Sequence, residues 1–99
     1  MTDLRSRPDP EALRTRLGIA QEIARTMRSR GLSQIQAARL VNETPAHISH
    51  IVNGQLAGLS LDRLLRTLTR LGQDVDLIIA ASPSQATGEV RLVAPWRTR

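Results

Sequence analysis

The chain has 99 residues and a formal net charge of +5, and its 14 basic residues are all Arg. The absence of Cys excludes a disulfide framework and thiolate metal sites, and no apolar run approaches the roughly 20 residues of a membrane span. A single cytoplasmic domain is expected, basic enough for nucleic acid or another acidic partner; with one aromatic residue, Trp96, its core must be built from Leu, Ile, Val, Met and Ala.

Residues 1–9 are polar and Pro-containing, lack a signal-peptide pattern, and read as a flexible arm. Asp9-Pro10-Glu11 is a helix start: an N-cap, Pro at the first position and an acid in the first turn. A long helix is expected to about Arg30, with Leu13, Leu17, Ala20, Ile23, Ala24 and Met27 on one stripe. Gly18 weakens its middle by about 1 kcal/mol relative to Ala. A kink there, or a first half ordered by a partner, is therefore expected. Arg25, Arg28 and Arg30 suit the negative end of this helix; reach to DNA phosphates and a merely solvated charged face are equal alternatives for them.

Residues 33–54 read as two short helices joined by a tight turn. Ser33 is an N-cap, and Gln36 three residues on completes a capping box. Ala37, Leu40 and Val41 form an apolar stripe, and the small Ala37 and Ala38 permit a close helix crossing. Asn42 stands where the turn needs positive φ, which Asn tolerates. Thr44 caps the second helix and Pro45 takes its first position, where a missing N–H costs nothing. Ile48, Ile51 and Val52 are expected inside. Ala46, His47, Ser49, His50 and Asn53 are expected outside, a face small and polar enough for base edges and phosphates. A solvated face of an ordinary helical protein is the bland alternative.

Ser60 caps a further helix over 61–71, stopped by Gly72, with Leu61, Leu64, Leu65, Leu68 and Leu71 on its apolar face and Arg63, Arg66 and Arg70 opposite. The period then changes. Residues 74–80 alternate before becoming apolar and suggest a strand; 89–94 is a second candidate, with a loop between them. A lone strand is marginal and its open edge seeks a partner. Val75, Leu77, Ile78 and Ile79 are accordingly expected to hold a homodimer. An intramolecular hairpin of 74–80 with 89–94 is the alternative, and the two combine if hairpins from two chains join.

Leu32-Ser33-Gln34, Ala38, the Asn42 turn, Ile48-Ser49 and Asn53-Gly54 resemble the Xre/Cro-type helix-turn-helix. The continuation from Leu59 to Leu65, then Leu71-Gly72-Gln73-Asp74-Val75-Asp76-Leu77, resembles the HigA-type antitoxin branch. The likeness spans about residues 17–80. It implies a mainly α fold: a five-helix bundle with a C-terminal β-strand or hairpin for dimerisation. An arm (1–9), a DNA-binding domain (10–73) and a C-terminal strand or hairpin with its tail (74–99) would follow. It implies a homodimer that binds double-stranded operator DNA, represses its own toxin–antitoxin operon and neutralises a RelE/HigB-like mRNA endonuclease. The alternative is a free-standing Xre-type regulator.

Carried over by position, Gln34 would touch a phosphate and brace the recognition helix. Thr44, Ala46, His47 and His50 would face the groove, and Asn53 would bond the backbone. The expected DNA-binding set is Ser33, Gln34, Thr44, Pro45, Ala46, His47, Ser49, His50 and Asn53. Two residues depart from the pattern: Asn42 replaces the usual Gly, and Glu43 replaces a small apolar residue, so its charge must turn to solvent or meet an Arg. No cofactor, catalytic group or membrane is implied. Glu43, His47 and His50 have helical ligand spacing, but without Cys or another His the set is incomplete for zinc.

Overall fold

The structure, a computed structural model, describes residues 10–83 and 85–94. The expected arm at 1–9 and Trp96 lie outside the described residues. Four helices follow one another: α1 (Pro10–Arg30), α2 (Gln34–Val41), α3 (Pro45–Val52) and α4 (Leu61–Arg70). α1 lies against α3 and α4, and α2 against α3 and α4. The core is Ile19, Ile23, Met27, Ala37, Ala38, Val41, Ile48, Ile51, Leu56, Leu64, Leu68 and Leu71 with their neighbours. No described helix is long and apolar enough to cross a membrane.

Local chemistry sets the helix ends. Ser33, Thr44 and Ser60 sit in extended backbone, and each hydroxyl accepts the N–H three residues on. The Ser33–Gln36 box is reciprocal, with Ser33 N–H donating to Gln36 Oε1 at 2.9 Å. Asn42 closes α2 in the left-handed region (φ 57°, ψ 48°), and Glu43 N–H then donates back to the Ala38 carbonyl at 2.9 Å. That six-residue closure satisfies a carbonyl the helix leaves open. Asn42→Ala is expected to cost about 1 kcal/mol, because a Cβ without a local polar partner disfavours this region. Asn42→Gly should hold stability level in the same chemical denaturation experiment.

Three expectations are corrected. First, the described residues form four helices, not five. Second, α1 runs unbroken through Gly18. The glycine serves a close approach: a Cβ there would come within 2.8 Å of Leu92 Cδ2. Third, no C-terminal strand or hairpin exists among the described residues. The second candidate segment is engaged elsewhere. Val90 N–H donates to Glu11 Oε1 at 2.7 Å, Leu92 packs on the core and Ala94 is buried. Residues 89–94 thus lie along α1 and leave 74–80 with no partner for ladder bonds. Val75 packs partly on the core, but Leu77, Ile78 and Ile79 are 82, 89 and 98% exposed.

Three side chains of the apolar stripes also face outward. Leu40 is 48% exposed, Leu13 40% and Leu61 37%, so none of them is core. Ala38 takes the buried place beside Ala37 at the α2–α3 crossing, where small side chains let the helices approach.

Candidate nucleic-acid interface

The turn at Asn42 and Glu43 sets α3 across α2, and the buried Ile48 and Ile51 fix which side of α3 faces out. On that outer side Pro45, Ala46, His50 and Asn53 are exposed, and Thr44 is exposed at the cap. Ser49 is half-buried, and its hydroxyl accepts a long contact of 3.4 Å from Asn53 Nδ2. Ser33 and Gln34 are exposed at the start of α2. The face carries no acid and no bulky apolar group. Its amide, imidazole and methyl suit donors, acceptors and the thymine methyl of a major groove.

His47 departs from this face. The residue is 7% exposed, and its Nε2 lies 3.4 Å from Thr67 Oγ1 on α4. The outward placement expected for it is therefore corrected: the imidazole packs between α3 and α4. The reason is its place three residues after Thr44 and four before Ile51, on the edge of the buried stripe. Burial, the largest cause, holds its pKa below the usual 6.5; Arg63 and His50 act the same way and Glu43 opposes them. Glu43, the misfit in the motif, meets Arg63 of α4 at 3.2 Å. Glu43, His47 and His50 thus turn to an Arg, a Thr and solvent, and no metal-ligand group of three forms among the described residues.

Residues 2–80 match the family described as "Helix-turn-helix domain". The chain belongs to this helix-turn-helix family. A solved structure described as "Putative XRE Family Transcriptional Regulator" is similar at 33% identity and a TM-score of 0.82, over 88% of this chain and 99% of that one. That likeness makes the chain an Xre-type helix-turn-helix protein. Among curated proteins none matches.

Several of the described arginines of this helix-turn-helix protein are committed to its own fold. Arg16 donates to the Leu59 carbonyl, Arg30 to that of Leu71 and Arg70 to that of Val41, at 3.1, 2.8 and 2.9 Å. Each neutralises a carbonyl dipole at a helix or loop end. Arg66 pairs with Asp62 at 2.7 Å on the exposed side of α4, where such pairs contribute little. The side chains of Arg14, Arg28 and Arg39 have no hydrogen-bond or ion-pair partner among the described residues. Of these, Arg39 lies on α2 within the helix-turn-helix itself.

Sequence reasoning missed Arg39, Thr67 and the structural task of Arg63. A signal for Thr67 existed: Leu64, Thr67, Leu68 and Leu71 follow the 3.6-residue period of a buried stripe. Thr67 is 3% exposed and Leu71 0%.

Proposed function

We propose that the chain is a sequence-specific transcriptional repressor that binds operator DNA as a two-fold dimer. The observation that carries this reading is the exposed, acid-free face of α3, formed by Pro45, Ala46, His50 and Asn53 beside the capped start of α2. Each recognition helix would enter one major groove, with half-sites about one helical turn apart. Ser33 and Gln34, with helix dipole and backbone N–H groups behind them, would meet a phosphate. Arg39 would add charge on the same motif.

The exposed Leu77, Ile78 and Ile79 support the dimer. Three adjacent large apolar side chains in water are a liability, and covering each is worth roughly 1.5–3 kcal/mol. A second copy is always available to cover them. The test is a titration of the full chain on the DNA upstream of its own reading frame and on a scrambled duplex, at several salt concentrations. Tighter binding to the upstream duplex, two chains per site and a steep salt slope support the reading. Equal binding to both duplexes rejects it.

A second reading is the antitoxin: repression of its own toxin–antitoxin operon with neutralisation of a RelE/HigB-like endonuclease. The likeness of residues 59–77 to the HigA branch favours it, and the exposed 77–79 run offers apolar area to such a partner. Co-expression with the adjacent reading frame tests it. A stable complex that removes an mRNA-cleaving activity supports the antitoxin; no toxic neighbour leaves the plain regulator.

A further inference from the structure

Two side-chain ties join the helix-turn-helix to α4, and they share one register. Glu43 meets Arg63 at 3.2 Å and His47 meets Thr67 at 3.4 Å, each pair 20 residues apart in sequence. Glu43 and His47 are separated by the same interval as Arg63 and Thr67, so the ties stand one helical turn apart. Thr67 gives its hydroxyl proton to the Arg63 carbonyl at 3.1 Å, so its oxygen is left to accept from His47 Nε2–H. The backbone N–H of His47 meanwhile donates to the Thr44 cap at 3.1 Å. Both sides of the inner tie are buried, His47 at 7% and Thr67 at 3% exposure.

We infer that His47 and Thr67, supported by the Glu43–Arg63 pair, are positioning residues that set the rotation of the recognition helix on α4, and that DNA is held best with His47 neutral. The inference rests on the DNA-binding reading above. The buried Ile48 and Ile51 fix which side of α3 faces out, and directional polar ties to α4 then refine its rotation, because apolar contacts carry no direction of their own. Ala46 and His50 on the opposite side of α3 turn with it.

The charged form of His47 is opposed by burial, by the Arg63 guanidinium on α4 and by His50 on its own helix; Glu43 in the turn alone favours it. The sign of the coupling follows. A His whose folded pKa is lowered gives its full stability above 6.5 and loses it as pH falls toward the lowered value. DNA that selects the neutral, docked helix lowers the His47 pKa further. A His47 that instead reached a phosphate would have its pKa raised.

The chain has 2 histidines, so proton NMR follows His47 directly, with His50→Gln used to assign the signals. The probe is a duplex of the DNA upstream of the chain's own reading frame. His47 should titrate at lower pH in the complex than in the free protein. Thr67→Val should weaken duplex binding at neutral pH by about three- to tenfold, the range one ordinary hydrogen bond supplies, and Thr67→Ser should restore it. An upward move of the His47 titration on DNA, or Thr67→Val binding like the parent, overturns the positioning role and leaves the DNA reading intact. Failure of the parent chain to bind any duplex at low salt overturns that reading, and this inference with it.

Discussion

Ile48→Ala should lower stability by about 3 kcal/mol, within the usual range for Ile→Ala in a core. For a domain of this size that corresponds to a Tm lower by roughly 10–25 °C. Ile48 is fully buried, on the inner side of α3, in one cluster with Ala37, Ala38, Val41 and Ile51. The alanines already let α2 and α3 approach closely, so little further collapse can fill the space left by the lost methyl and ethyl groups. The cavity cost therefore adds to the transfer cost. Thermal unfolding followed by circular dichroism measures the change. A loss under about 1 kcal/mol would mean that α3 is not anchored through this side chain.

The double variant Ala46→Glu/His50→Glu should abolish duplex binding while leaving the fold nearly untouched. Both side chains are exposed on α3, so the expected change in stability stays within about 0.5 kcal/mol. Two carboxylates against phosphates and base acceptors each add repulsion of several kcal/mol when desolvated, and 1.4 kcal/mol is tenfold in affinity. A loss of at least about 100-fold follows, read as a gel shift beside an unchanged melting curve. A variant that still shifted the duplex with parental affinity would place the binding face elsewhere on the molecule.

The local devices were legible because they are written within a few residues. Ser33 with Gln36, Thr44 with Pro45, Ser60, and the positive φ of Asn42 all appear in the structure as the residue types require. Of the two outcomes open to Glu43, solvent or an Arg, the structure shows the second, with Arg63. What failed depended on distant partners. Period alone placed His47 outside, yet α4 arrives from 20 residues away and covers it through Thr67. Alternation at 74–80 suggested a strand, but a ladder needs a mate, and 89–94 is held on α1 by Glu11 and by the notch at Gly18. Gly18 itself read as a weakness of the helix, because nothing nearby in sequence announces Leu92. Charge counting is silent in the same way: +5 agrees with a nucleic-acid partner but says nothing of how many guanidinium groups close helix ends, as Arg16, Arg30 and Arg70 do.

The central claim is operator recognition by two copies of α3, and a nuclease footprint of the full chain on its own upstream DNA tests it most directly. The account predicts two protected, symmetry-related half-sites about one helical turn apart, protected at moderate salt and absent with Ala46→Glu/His50→Glu. Uniform protection without sequence preference, or a footprint that the double variant reproduces, would contradict it.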